Sequence, residues 1–285
     1  MKPYQLLLIF LFTTFCACTK KEPLKQIAPQ SLFDSIPTSK PLRPLLKEIS
    51  GITDSKTIPL HLWGEEDSGN PPQLDLISYD GTVTKKVYIK GAANHGWEDM
   101  TRAGNELYVA DIGDNFKVMS EHAIYIFTEP GADVDTVRSF TKIRFRYPDG
   151  PHDADALLVE PTTNAIFIIT KSATATTPIF KIEAPYSDTA LMVAVPAGEV
   201  PYNNITSAAM SPDAKELILK TYTTLYHYTI DKNIETTLQQ QPTKLPYLIE
   251  PQGEAIAFAA DNSGFFTISE KALAPSVDLY FYKRR

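Results

Sequence analysis

A short motif recurs five times at intervals of about fifty residues, and a period of that length is the strongest constraint on what this 285-residue chain can fold into. The copies are Ile49-Ser50-Gly51-Ile52, Trp97-Glu98-Asp99-Met100, Ala154-Asp155-Ala156-Leu157, Thr206-Ser207-Ala208-Ala209 and Gly253-Glu254-Ala255-Ile256, and their second residues stand 48, 57, 52 and 47 positions apart. Each leads across a turn into a second run rich in β formers, at residues 61–63, 106–110, 165–170, 216–220 and 264–269. Three of those turns carry Pro, Asp or Asn where the chain must reverse: Glu160-Pro161-Thr162-Thr163-Asn164, Ser211-Pro212-Asp213-Ala214-Lys215 and Ala260-Asp261-Asn262-Ser263-Gly264. A third run alternates large apolar residues with others, at 73–79, 123–128, 178–183, 224–229 and 278–282. A fourth follows in four copies only, at 84–89, 140–147, 190–195 and, more weakly, 236–245.

The fifth copy stops at its third strand, while a spare strand-like segment, residues 41–49, precedes the first motif. The two halves make one blade. The expectation is an all-β protein, a β-propeller of five four-stranded blades in a single domain over residues 41–285, closed by pairing of the N- and C-terminal strands. A sixth, irregular blade would have to hide in the long span between Glu98 and Asp155 or in the N-terminal stretch. A two-sheet sandwich is the alternative, but it gives no reason for a fifty-residue repeat. Composition agrees with the all-β reading: 22 Pro, 14 Tyr and 14 Phe favour strands bounded by turns.

Residues 1–17 read as an export signal, with Lys2 at the start and an apolar run over 6–15 too short to span a bilayer. Ala17 directly before Cys18 is the pattern of a bacterial lipoprotein signal, so Cys18 is the expected lipidation site, although Phe15 before Cys16 fits that pattern poorly; an ordinary secretory peptide is the other reading. Residues 18–40 then form the tether, rich in Lys and Pro. The expected location is the bacterial cell envelope, lipid-anchored at the outer membrane and facing the periplasm or the surface. Both cysteines of the chain, Cys16 and Cys18, lie in the signal region at or before the expected lipidation site, so the folded part must be stable without disulfides. Cleavage before Cys18 leaves 26 basic and 34 acidic residues and no basic cluster, which argues against nucleic acid as a partner.

In a propeller the first strand of each blade lines the channel and successive strands run antiparallel, so the start of strand one and the end of strand two share a face. The motif puts Ser50, Glu98, Asp155, Ser207 and Glu254 there. The ends of the second strands add Glu65, Glu66 and Asp67, then Asp111 and Asp114, then Lys171, Tyr222 and Glu270. Three residues before the motif acids stand Lys47, His95, His152, Asn204 and Pro251. Polar and ionisable side chains thus collect at one channel mouth, and Glu98, Asp155, Glu254, Asp67, Lys171, His95 and His152 are the candidate binding residues for a small ligand or a protein. Crowded carboxylates repel unless a cation or a substrate offsets them. Asp111, Asp114 and Glu98 are the candidate metal ligands, with calcium as the natural ion for carboxylates and carbonyls. The plainer reading is that the periodic acids accept hydrogen bonds from backbone amides of the next blade. No nucleophile elbow, free cysteine in the folded part or phosphate-binding glycine loop is present. Paired carboxylates could still act on a glycosidic bond.

The set Ile49-Ser50-Gly51-Ile52, Asp67-Ser68-Gly69, Trp97-Glu98-Asp99-Met100, Asp111-Ile112-Gly113-Asp114-Asn115, Asp155-Ala156-Leu157 and Gly253-Glu254-Ala255-Ile256 resembles the phytase-like and SdiA-regulated group of bacterial propellers, over roughly residues 45–283. That resemblance implies a calcium-dependent hydrolase of phosphate esters; lactones and glycans are further substrate classes for such an enzyme. Five blades depart from the six usual in that group. The reading carried forward is a binding and interaction propeller with an acidic channel mouth, with the metal-dependent hydrolase as its alternative.

Overall fold

The computed structural model describes residues 31–285. The leader, Cys18 and the first part of the tether lie outside the described residues. Five small sheets are arranged around one axis. Blade 1 holds Ile49–Asp54, His61–Glu66, Gln73–Ser78 and Val83–Ile89; blade 2 holds Trp97–Ala103, Glu106–Asp111, His122–Thr128 and Thr141–Arg146. Blade 3 holds Ala154–Val159, Ile166–Thr170, Thr177–Ile182 and Val195–Val200; blade 4 holds Ile205–Met210, Glu216–Thr221, Leu225–Thr229 and Thr243–Leu245. Blade 5 is built from Gly253–Phe258, Gly264–Ser269, Asp278–Lys283 and, from the other end of the chain, Thr38–Pro41.

The ring closes as expected, with Thr38–Pro41 antiparallel to the last strand and Thr38 opposite Phe281. The closing strand lies a few residues earlier than residues 41–49. Phe33 is fully buried, its ring 4.8 Å from Phe265, so residues 31–40 belong to the folded ring and not to a tether. No sixth blade is present among the described residues. The long span between Glu98 and Asp155 instead contains a short strand, Thr136–Val137, that runs back to pair in parallel with the outer strand of blade 1. Residues 190–195 likewise are not the outer strand of blade 3: Met192–Val193 pairs in parallel with the outer strand of blade 2, and Val195–Val200 takes the blade 3 edge. In blade 4 a one-turn helix, Ile234–Thr237, precedes a three-residue outer strand.

The core consists of five slabs, one at each junction between blades. Between blades 1 and 2, for example, Trp63, Leu74 and Leu76 meet Trp97, Val109 and Tyr125, and between blades 2 and 3 Ile124 and Phe145 meet Leu157 and Ile168. The first two strands of each blade are mostly covered on both faces; those of blade 3 are apolar at nearly every position, while those of blades 1, 2 and 4 also bury polar and charged side chains such as Glu65, Asp99 and Lys220. The outer strands are covered on one face at most, and in Val83–Ile89 and Thr141–Arg146 the period-two pattern survives.

Two local devices repeat around the ring. Every hairpin joining strands one and two places one residue in the left-handed region: Leu60, Gly104, Asn164, Ala214 and Asn262, with φ of 60°, 63°, 57°, 55° and 58°. Every first strand also carries a β-bulge at the same place, on Ser50, Glu98, Asp155, Thr206 and Glu254. A bulge leaves its residue unpaired and re-aims its side chain, here at the edge of the strand that faces the axis.

Candidate functional site

The bulges set the register at the channel mouth. Past the end of each second strand stand Asp67, Ile112, Lys171, Tyr222 and Glu270; all but Ile112, which packs in the slab between blades 2 and 3, join the bulge residues at one end of the axis. The bulge position in blade 4 is Thr206, not Ser207 as the motif spacing had aligned it. Thr206 points its hydroxyl at the Gly253 carbonyl, 3.1 Å away.

Lys171 is the hub. Its ammonium forms a close ion pair with Asp155 and lies 5.3 Å from the centre of the Tyr222 ring. The Tyr222 hydroxyl donates to Glu254 Oε1 at 2.9 Å. Burial works against the Lys171 charge, but Asp155 and Glu254 outweigh it and hold its pKa above the ordinary range. Glu254 Oε2 is buried and has no hydrogen-bond partner among the described residues. Glu98 accepts from the Ser50 hydroxyl at a long 3.5 Å and stands beside the Asp67 carboxyl. Its carboxyl lies against Gly113, where a Cβ would come within 2.0 Å of Oε1.

Glu98, Asp155, Glu254, Asp67 and Glu270 are pushed towards the protonated form. For Glu98 the causes are burial, then the charges of Asp155 and Asp67; for Asp155, burial and Glu254, opposed by Lys171. Burial also raises Glu254 and Asp67, in each case partly offset by Lys171. Glu270 is raised to about 8 by burial and by Glu254, Glu48 and Asp67. Lys171, together with the buried Lys220 that also acts on Glu254, faces a larger number of carboxyls, and the site is short of positive charge.

The structure separates the other candidates from this cluster. Asp111 binds the loop before blade 2: one oxygen accepts from the backbone N–H groups of His95 and Gly96, at 3.0 and 2.9 Å, and the other lies 2.9 Å from His95 Nδ1. Asp114 caps its own loop through the amides of Val118 and Met119. His152 packs on Tyr147 and Phe180 and pairs with Asp149. Asp111, Asp114 and Glu98 therefore do not form a common metal group, and among the described residues no group of three or more His, Cys, Asp or Glu side chains is placed to hold one. The mouth fits calcium poorly as well, because the Lys171 ammonium already stands beside Asp155 where a cation would be coordinated.

The plainer role does exist, at a residue the candidate set had passed over. Asp99, next to the bulge, accepts from the Leu157 amide at 2.8 Å, the Met100 amide at 2.9 Å and the Ser207 hydroxyl at 3.2 Å, tying blades 2, 3 and 4 together across the axis. Its signal in the sequence is an acid where the other copies have Gly, Ala or Ser. Glu65 is fully buried with neither oxygen hydrogen-bonded among the described residues, and burial raises it well above the usual carboxylate range.

No family model and no curated protein sequence matches this chain. Among solved structures it is similar to the PQQ-bound aldose sugar dehydrogenase of Streptomyces coelicolor, at 8% identity and a TM-score of 0.50, covering 89% of this chain and 100% of that one. The luciferin-regenerating enzyme aligns at 11% identity and a TM-score of 0.48, over 87% of this chain and 95% of that one. The Cps50 (Swd1) β-propeller domain of Myceliophteria thermophila aligns at 11% identity and a TM-score of 0.37, over 84% of this chain and 85% of that one. At such identities the likeness to the dehydrogenase speaks for the fold alone.

Proposed function

We propose that this chain is a cell-envelope lipoprotein, acylated on Cys18, whose propeller binds a cationic group of a small molecule or a protein partner at the acidic mouth of its channel. One observation carries the binding reading: three blades use the same bulge to aim Glu98, Asp155 and Glu254 around the Lys171 ammonium, leaving Glu254 Oε2 unpartnered among the described residues. An arriving ammonium or guanidinium supplies the missing charge, and the carboxyls ionise as it enters. Phe116, Val118, Leu248, Ile249 and Leu273 are exposed on loops of the same face and form an apolar collar for the rest of the partner.

Isothermal titration with a linear diamine and with a lysine-containing peptide tests this. The expected result is measurable binding that weakens at least tenfold in E98Q/E254Q and tightens between pH 6 and 8, as bound protons become easier to release. Equal affinity in the double variant, or no binding by either probe, overturns it. The metal-dependent hydrolase is the competing outcome. After chelation, calcium, manganese or zinc at 100 times its dissociation constant should then stabilise the domain by about 2.7 kcal/mol. For the anchor, Cys18→Ser should release the protein from membranes, and unchanged retention would refute acylation at that residue.

A further inference from the structure

On the flank of blade 2 lies a recess of about 100 Å³, whose wall includes His95, Asp111, Glu121, Ala123, Lys142 and Arg144. The outer strand of the blade, Thr141–Arg146, explains its chemistry. Ile143 and Phe145 turn into the slab shared with blade 3, so the period-two alternation puts Lys142, Arg144 and Arg146 in a row on the opposite face, about 6.8 Å apart along the strand. Arg144 stands opposite Ala123 in the neighbouring strand, and that short side chain makes room for the recess. Lys142 stands opposite Tyr125, with its ammonium 5.2 Å from the centre of the ring.

The anionic members of this wall are engaged, whereas the cationic ones have capacity to spare. Asp111 is buried, and both its oxygens are taken by the amides of His95 and Gly96 and by His95 Nδ1. Glu121 accepts from Arg144 Nη1 at 3.2 Å, but both partners are exposed and water weakens such a pair. No other nitrogen of the Arg144 guanidinium is hydrogen-bonded among the described residues, and Lys142 forms no ion pair among them. The His95 ring is 56% exposed, and the bond from Nδ1 to Asp111 leaves Nε2 without a partner among the described residues. His122 closes the back of the recess with its ring nitrogens buried, and burial lowers its pKa, so it serves as wall and the contacts fall to the three accessible groups.

We propose that this recess is a second binding site, which takes the phosphate group of an organic phosphate. Arg144 and Lys142 meet its charged oxygens, and His95 Nε2 meets a third, accepting from a P–OH as a neutral ring or donating as a cation. A planar carboxylate satisfies one guanidinium, whereas a phosphate presents oxygens around a centre and occupies all three groups at once. Arg146, the next member of the row, bonds only the Tyr147 carbonyl at 3.5 Å and receives a further anionic group where the ligand carries one. The chain as a whole carries a net charge of -7 and repels anions, so binding here requires this local convergence of cations. A soluble phosphomonoester and a phospholipid headgroup share the chemistry.

The test measures calorimetric binding of glucose 1-phosphate by the whole propeller, and its co-sedimentation with phosphatidylcholine vesicles with and without phosphatidic acid. Saturable binding of the sugar phosphate identifies a soluble ligand; binding confined to the phosphatidic acid vesicles identifies a headgroup. In either arm K142Q/R144Q should weaken binding at least tenfold and His95→Ala severalfold. Glu121→Gln, which removes the carboxylate that competes for Arg144, should bind at least as tightly as the unaltered protein. Because Lys142 and Arg144 lie on the flank of the blade, K142Q/R144Q should keep its thermal midpoint and its diamine titration at the channel mouth, so the two sites are tested separately. The proposal is overturned if neither probe binds the unaltered protein at millimolar phosphate, if K142Q/R144Q binds equally well, or if E121Q binds more weakly.

Discussion

Carboxyls near the axis fall into two groups that differ in what they touch. Asp99 is saturated by donors from its own blade and two others, so removing it leaves the Leu157 amide and the Ser207 hydroxyl unpaired in a buried place. D99A should cost about 2–4 kcal/mol in urea unfolding, whereas the same change at exposed Asp149 should cost almost nothing. Glu98, by contrast, is held by contact with Gly113, and G113A should displace it. The expected outcome is a lower thermal midpoint together with loss of amine binding. Glu270 gives the pH dependence its sign. Its carboxyl titrates near 8 in the folded protein, above the ordinary value of 4.5. The native state therefore holds that proton more tightly, and its contribution is complete below about pH 4.5 and lost as pH rises through 8. Stability should fall between pH 5 and 8, and E270Q should flatten that fall in a series of urea midpoints.

The strands and turns were the most legible part of the sequence, because a fully covered strand and a Pro- or Asn-bearing turn both leave local signatures. The hairpin of blade 4 shows how much more the geometry adds. Ala214 sits at φ 55° where blades 2, 3 and 5 use Gly or Asn and blade 1 uses Leu60, a conformation costing roughly 1 kcal/mol for a residue with a Cβ. A214G should recover about 0.5–1 kcal/mol in chemical denaturation. The bulges were invisible to polarity patterns, since a bulge is a change of pairing and not of composition. With Thr206 and Ser207 adjacent and both hydroxylic, nothing in the residues themselves chose between them. The short strands Thr136–Val137 and Met192–Val193 were missed for a related reason: each pairs with a neighbouring repeat, so no pattern within its own repeat predicts it. The mouth was legible as a face, through Glu98, Asp155, Glu254, Asp67 and Lys171. The sorting of Asp111 and Asp114 into loop caps was not, because it depends on which backbone amides the loops bring near.

The whole ring depends on one seam. Thr38–Pro41 completes blade 5, the Arg285 amide donates to the Leu32 carbonyl, and Asp34 pairs with Arg285 at 2.9 Å. Arg284 reaches from that seam into blade 4, bonding Glu216 and the Asn262 carbonyl, with its guanidinium 4.7 Å from the centre of the Phe33 ring. Despite burial, bonds from His227 and Arg284 hold the Glu216 pKa down at about 2. The pair contributes stability above the ordinary carboxylate pKa and loses it as pH falls towards 2. R284A should therefore destabilise the ring by about 1–2 kcal/mol at pH 7, with the difference from the unaltered protein shrinking in acid. A circular permutant opened between blades 2 and 3, its old ends joined, should keep the native fold by circular dichroism, since the seam would then be continuous chain. The same seam has a mechanical consequence. Any tension drawn through the residues before Ser31 reaches the Phe33 plug before it reaches the backbone ladder of Thr38–Pro41. The aromatic plug thus acts as a strain relief, taking up any pull on the N-terminal end of the ring before the ring is sheared open.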